Sequence, residues 1–284
     1  MSVPKAVKEK EANLLEIVAK LGSAAVAFSG GVDSSYLLSV CHQALPQTTV
    51  AVTGRSESFP ARELEAAKSL AVELKVKHFI VDSEELNVPG FSENPPNRCY
   101  LCKKELFNKI KQVADKENIA YVLEASNIDD EGDYRPGLEA VKEMGVLSPL
   151  RQAGLIKDEI RSLSKLRGLK TWDKPSFACL ASRFPFGELI TADRLGRIDK
   201  AETFILNLGV KQVRVRFHDQ GTLARIEADE EGLNIIFKPK NRLAISDYLK
   251  KLGFVYSALD LKGYETGSMN RSLPMAPKVK ASRA

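Results

Sequence analysis

Apolar residues recur at helical spacing near the start of the chain, at Val7, Leu14, Leu15, Val18 and Leu21, and Gly22 marks the stop. AAVAF (24–28) is an unbroken apolar run, the pattern of a buried strand, and a helical stretch follows from Ser34 to Ala44. TVAVTG (49–54) reads as a second strand. PARELEAAKSLAVELKV (60–76) reads as a helix with Pro60 in its first turn, and KHFIV (77–81) as a third strand. A polar segment, NVPGFSENPPN, precedes the helical CKKELFNKIKQVADKE, and AYVLEA (120–125) is again strand-like. Strands alternating with helices predict an α/β fold built on a parallel sheet with helices flanking it. The pattern changes near residue 188. ADRLGRIDKAETFILNLG (192–209) is an amphipathic helix, and QVRVRFHD (212–219) alternates as a half-buried strand does. LARIEA (223–228) and YSALDL (256–261) read as strands, and NRLAISDYLKKLG (241–253) as a helix. Two domains are expected, an α/β domain over 1–187 and a smaller α+β domain over 188–272, with 273–284 as a disordered tail. No internal repeat is present.

Composition narrows the class. A hydrophobic content of 44% and a charged content of 28% in 284 residues are ordinary for a soluble globular protein. No apolar run nears the roughly 18 residues of a membrane span, and the charged N-terminus lacks the apolar core of a signal peptide. The reading is a cytoplasmic protein with reduced thiols. Cys99 and Cys102, in RCYLCKK, then point to metal, persulfide or redox chemistry before a structural disulfide. The net charge of +5 suits a phosphate-bearing ligand and is too weak to indicate nucleic acid.

SGGVDSS (29–35) lies between a buried strand and a helix. Gly30 and Gly31 let backbone N–H groups turn inward, and the helix N-terminus adds its positive end, so the loop forms an anion cradle. Ser29 and Ser34 can donate to phosphate oxygens. Asp33 suits Mg²⁺, the companion of ATP; the plainer alternative is a helix N-cap. Strand, SGGxDS and helix together resemble the PP-loop of the ATP pyrophosphatases. That resemblance implies cleavage of ATP between its α and β phosphates and adenylation of a substrate oxygen. The Walker pattern GxxxxGK[ST] is absent.

Adenylation makes an oxygen a good leaving group, so a nucleophile must be found elsewhere. Cys41, in LLSVCHQAL, reads as a buried core thiol. Cys99 and Cys102 open a helix, where thiolates are stabilised, with Arg98, Lys103 and Lys104 adding positive charge. Cys179 sits in the turn-rich SFACLASRFPFG. Zinc needs four ligands, and His42, His78 and His218 do not complete the set at metal-like spacing. Three thiolates suit a [4Fe–4S] cluster with one iron left open to a sulfide; structural zinc or an unliganded thiol pair stays as the alternative.

GDYRPG (132–137), SRFPFG (182–187), VRVRFHD (213–219), ARIE (224–227) and LDLKGYETGSMN (259–270) together resemble the LarE family, over roughly residues 10–270. These are pyridinium-3,5-biscarboxylic acid mononucleotide sulfurtransferases of nickel-pincer nucleotide biosynthesis. The resemblance implies ATP-dependent adenylation of a pyridinium carboxylate and its conversion to a thiocarboxylate. Single-cysteine members sacrifice the sulfur of one cysteine, whose position aligns with Ala178 here. Cys99, Cys102 and Cys179 instead match the three-cysteine subgroup associated with a [4Fe–4S] cluster. The expected site comprises Ser29, Gly30, Gly31, Asp33, Ser34 and Ser56, with Glu57 nearby, for ATP, and Arg183, Arg214 and Arg216 for the substrate's carboxylate and phosphate. Asp33, Glu202 and Glu227 are the candidate Mg²⁺ ligands, and DDEGD (129–133) is either a helper of Mg²⁺ or pyrophosphate or a solvated loop. Trp172 is assigned to packing. Sulfide or a sulfur donor is the second reactant, and a homo-oligomer is expected, with no membrane or nucleic-acid partner. Three alternatives differ in chemistry: sacrificial transfer from Cys179, thiolation of tRNA, which calls for an RNA platform absent here, and a non-catalytic metal scaffold, against which the intact SGGVDSS argues.

Overall fold

The structure, a computed structural model, describes residues 3–130, 136–265 and 267–269. The expected disordered tail (273–284), residues 131–133 of the acidic segment and 132–135 of GDYRPG lie outside the described residues. Those described fall into two compact units. One comprises residues up to Val88 together with 97–177, the other residues 89–96 together with those from 178 on.

The first unit is a parallel sheet of four strands in the order β3-β2-β1-β4, formed by β1 (Ala24–Ala27), β2 (Thr49–Arg55), β3 (Lys77–Asp82) and β4 (Val122–Leu123). Val26 lies between Ala51 and Leu123 in register. The strand period of two sends alternate residues to opposite faces. Ala24, Val26 and Ala51 pack with α1 (Lys5–Ala19), α2 (Val32–Ala44), α3 (Ala61–Glu73) and α7 (Lys157–Leu166), while Ala25, Val50 and Val52 pack with α4 (Arg98–Lys116) and α5 (Gly137–Glu143). Burial on both faces explains why these strands read as continuous apolar runs. A short helix, α6 (Pro149–Gln152), precedes α7. The chain moves outward from β1 to β3 and then returns to add β4 on β1's other side, so the strand order reverses at the carboxyl end of β1, where α/β sheets bind ligands.

The strand expected over 120–125 is only two residues long. It ends at Glu124, whose buried carboxylate accepts bonds from the Ser126 N–H at 3.1 Å, the Ser126 hydroxyl at 2.6 Å and the Ser148 hydroxyl. That cluster turns the backbone out of the sheet.

The second unit holds α8 (Ala192–Leu206), β5 (Val213–His218), β6 (Leu223–Ala228), α9 (Glu230–Ile236), α10 (Pro239–Lys251) and β7 (Tyr256–Leu259). β5 and β6 run antiparallel, and β7 adds parallel to β6. Phe217 packs against Phe184 and Phe254, with the Arg197 guanidinium over the rings of Phe217 and Phe254. β5 is not the half-buried strand its alternation suggests, because Val213 through Phe217 are all buried.

Candidate functional site

The first half of the site is the loop between β1 and α2. Gly30 has φ +67°, and a Cβ there would lie 3.1 Å from the Ala67 backbone, so only glycine lets the loop close against α3. The hydroxyls of Ser29 and Ser34 face each other at 3.2 Å, and Ser34 Oγ also accepts from the Ser29 N–H at 3.3 Å. The Ser35 hydroxyl donates to the Gly31 carbonyl at 2.7 Å and pins the first turn of α2. Asp33 is not the cap of that helix, since Gly31 occupies the cap position. Its Oδ2 accepts from Lys157 Nζ, while its Oδ1 is buried without a hydrogen-bond partner. Burial holds the Asp33 carboxyl above its ordinary value, with Lys157 opposing the shift. An orphaned carboxylate oxygen beside a phosphate-type loop is a fitting ligand for Mg²⁺. Ser56 is half-buried just beyond the carboxyl end of β2, with its hydroxyl 3.5 Å from that of Ser58, and Glu57 is exposed.

Cys99 and Cys102 lie in the first turns of α4, whose cap residue, Asn97, makes no side-chain cap bond. Cys99 is exposed and Cys102 half-buried. The Cys102 thiol donates to Glu85 Oε2 at 3.0 Å, and Glu85, 1% exposed, keeps Oε1 buried without a hydrogen-bond partner. Cys41 is fully buried and its thiol is pushed up by desolvation, as expected of a core thiol. None of the four cysteines is joined in a disulfide. Soft thiols at a helix N-terminus fit iron–sulfur ligation. Cys179 belongs to the second unit. Among the described residues, neither unit by itself gathers three His, Cys, Asp or Glu side chains around a metal position.

In the second unit, Cys179 precedes a 3₁₀ turn (Leu180–Arg183) held by buried arginines. Arg183 is fully buried; Nη1 donates to the carbonyls of Ala178 and Cys179 at 2.5 and 2.9 Å and to Ser182 Oγ at 2.9 Å. Its Nε and Nη2 grip Glu202 at 2.9 and 3.0 Å. Glu202 also accepts from the Val215 N–H at 3.0 Å. Burial alone would raise the Glu202 carboxyl, but Arg183, followed by Arg214 and the Val215 N–H, holds it below its ordinary value.

Across the β5–β6 ladder, Arg214 is opposite Glu227 and Arg216 is opposite Arg225, which places the four side chains on one face. Arg216 Nη2 donates to Glu227 at 2.6 Å and Ser268 at 2.9 Å, and Nη1 to the Ser182 carbonyl at 3.0 Å. Arg225 bridges Glu227 and Asp260. Arg214 stacks over Tyr264 at 4.9 Å. Its guanidinium is pushed down to about 10 by burial first and then by Arg183. This is no solvated strand face; Arg214 and Arg216 are each 5% exposed and Glu202 and Glu227 at most 1%.

The structure therefore joins Ser29, Gly31, Asp33 and Ser34 in one loop, and Cys179, Arg183, Arg216, Glu202 and Glu227 in one network. Sequence reasoning missed Lys157, Glu85, Arg225 and Asp260. Arg225 carried a readable signal, because LARIEA alternates and puts Arg225 and Glu227 on the same face. Lys157, 124 residues from Asp33, carried none.

The chain is 40% identical over 267 residues to an uncharacterized protein of Synechocystis sp., covering 94% of this chain and 99% of that protein. It is 35% identical over 268 residues to the pyridinium-3,5-bisthiocarboxylic acid mononucleotide synthase of Lactiplantibacillus plantarum, covering 94% of this chain and 96% of the synthase. A tRNA-specific 2-thiouridylase of Rickettsia africae is 27% identical over 192 residues, 55% of this chain and 53% of that enzyme. No family model matches the chain. Among the described residues, no helix is long and apolar enough to cross a membrane.

Proposed function

The chain belongs to the LarE family, that of the Lactiplantibacillus plantarum pyridinium-3,5-bisthiocarboxylic acid mononucleotide synthase, and on that premise we propose that it adenylates a carboxylate of a pyridinium mononucleotide and converts it to a thiocarboxylate for the nickel-pincer nucleotide. The chain is an ATP-dependent sulfurtransferase. The finer reading is carried by the Ser29–Ser34 loop, with its inward hydroxyls and the orphaned Asp33 oxygen, in a chain matched to the synthase almost from end to end.

The loop and the N-terminus of α2 bind the ATP phosphates, and Asp33 holds Mg²⁺. Ser56 lies beyond β2 on the adenine side. A carboxylate oxygen of the substrate attacks the α-phosphorus, the bond from that phosphorus to the bridging oxygen breaks, and pyrophosphate leaves with the electron pair. Sulfide then adds to the activated carbon and AMP departs with the carboxylate oxygen. Arg214 and Arg216 bind the substrate phosphate, and Arg183 keeps the Cys179 turn in place beside its carboxylate. Cys99, Cys102 and Cys179 are the ligands of a [4Fe–4S] cluster, which supplies the transferred sulfur when bound. Glu202 and Glu227 are already engaged by arginines, so their role in this reading is to fix those arginines.

Anaerobically purified protein given ATP, Mg²⁺, sulfide and pyridinium-3,5-biscarboxylic acid mononucleotide tests the reading. The expected result is AMP, pyrophosphate and thiocarboxylate over several turnovers, with bound iron and an unchanged polypeptide mass. ADP in place of AMP would overturn adenylation. Loss of the elements of H₂S from Cys179 after a single turnover would replace the cluster by the sacrificial route.

A further inference from the structure

Two lysines outside the Ser29–Ser34 loop reach it from one helix and from the segment that helix holds. Lys157, the first residue of α7, donates to Asp33. Lys174 donates to the Gly30 carbonyl at 3.0 Å and pairs with Glu63 at 2.7 Å. One turn after Lys157, Arg161 donates to the carbonyls of Trp172 and Lys174 at 2.7 and 2.9 Å. So α7 places one ammonium group itself and steadies the backbone that carries the other. The two cations grip the loop at Asp33 and at Gly30. Their side chains are 27% and 22% exposed, so each stays open to solvent on one side.

Glu63 anchors Lys174 and Asp33 anchors Lys157, and Lys174 reaches beyond its anchor to the loop backbone. Holding a long lysine side chain in one place costs conformational entropy. A neutral carbonyl is also a poor partner for an ammonium group compared with a phosphate. The Gly30 carbonyl and the Asp33 carboxylate are the partners of the resting loop, and both border the cradle in which a polyphosphate would lie.

We propose that Lys157 and Lys174 bind the β- and γ-phosphates of ATP and hold the pyrophosphate as it leaves. This rests on the adenylation reading above. When the substrate oxygen bonds to the α-phosphorus and the bond to the bridging oxygen breaks, negative charge grows on that oxygen. Two ammonium groups placed there stabilise the leaving group more than the bound ATP, the condition for a gain in rate. Transfer of Lys157 to phosphate also releases Asp33 for Mg²⁺.

Lys157→Met and Lys174→Met, titrated calorimetrically with ATP, pyrophosphate and AMP in Mg²⁺, test the assignment. Each loss of a charge-assisted bond should weaken ATP and pyrophosphate about tenfold or more. AMP affinity should be unchanged, and Lys→Arg at either position should restore most of the loss. A merely structural role weakens AMP in step with ATP, and that outcome overturns the proposal, as does undiminished pyrophosphate binding. Lysine acetylation of the wild-type chain, followed by mass spectrometry, needs no variant to fold: pyrophosphate should shield Lys157 and Lys174, and AMP should not. Shielding by neither overturns the assignment. Pyrophosphate-specific losses in the variants, combined with ADP formation by the wild type, would keep the two lysines as phosphate ligands and discard adenylation alone. AMP formation with lysines indifferent to pyrophosphate would do the reverse.

Discussion

Arg183→Ala is the sharpest perturbation the second unit offers. The side chain is fully buried, its guanidinium is bidentate to Glu202, and three further acceptors around Cys179 depend on it. Its removal leaves Glu202 buried beside fewer cations, and breaking a buried ion pair in this way costs about 3–5 kcal/mol. In a unit of this size the loss corresponds to a fall in melting temperature of roughly 10 °C or more. Far-ultraviolet circular dichroism is the appropriate probe, because the single tryptophan, Trp172, belongs to the first unit. The pH dependence gives an independent check. The folded Glu202 titrates below its ordinary value, so in the window between the two values the unfolded chain binds the proton more tightly. Its contribution to stability is complete above the ordinary glutamate range and is lost as pH falls through the folded value. Without Arg183, burial acts against fewer opposing groups, so the acid-side loss of stability must shrink. Urea titrations of both proteins across the acidic range measure it. An Arg183→Ala chain within about 1 kcal/mol of wild type, or one with an unaltered acid slope, would refute the reasoning.

Asp33→Ala should abolish substrate-dependent pyrophosphate release while leaving the circular dichroism spectrum and cooperative unfolding unchanged; undiminished release removes Asp33 from the chemistry. Arg214→Gln should raise the KM for the mononucleotide about tenfold or more and leave that for ATP alone, as steady-state kinetics will show. The Arg216→Gln variant should in addition lose stability, measured by urea, because Glu227 and Ser268 lose their partner. Ala at Cys99, Cys102 or Cys179 should each remove bound iron and sulfur transfer in anaerobic iron assays, whereas Cys41→Ala should keep both and lose only stability.

The fold was legible where burial acts on a whole strand. AAVAF and TVAVTG lie in the centre of the parallel sheet, with both faces covered, so their apolar runs report location directly. The loop after β1 was legible because glycine at positive φ and a serine pair leave a local trace. Two features were not readable. AYVLEA carries six strand-like letters, but a carboxylate with three donors ends the ladder after two residues, a tertiary event. VRVRFH alternates as if one face met water, yet that face meets Glu202, Glu227 and Ser268, whose side chains arrive from three separate segments. Alternation records polarity and not exposure. It cannot distinguish a solvated arginine face from one buried against carboxylates that other segments supply.

That burial has a consequence in charge. Among the described residues, the network joins four guanidinium groups, those of Arg183, Arg214, Arg216 and Arg225, and three carboxylates, those of Glu202, Glu227 and Asp260. Arg183 is matched by Glu202, Arg216 by Glu227, and Arg225 by Glu227 and Asp260. Arg214 shares this network: burial and then Arg183 hold its guanidinium down to about 10, with Glu202 opposing the shift. Desolvation penalises a buried guanidinium, and for Arg214 the Glu202 carboxylate offsets part of that penalty. A substrate phosphate bound as proposed above would offset more of it, and the desolvation already present would make that contact stronger than at a wet surface. The same accounting separates the two arginines of VRVRF. Arg216 also holds Glu227, Ser268 and the Ser182 carbonyl and so shapes the Cys179 turn, which is why its replacement is expected to cost stability as well as substrate affinity, whereas Arg214 stacks on Tyr264.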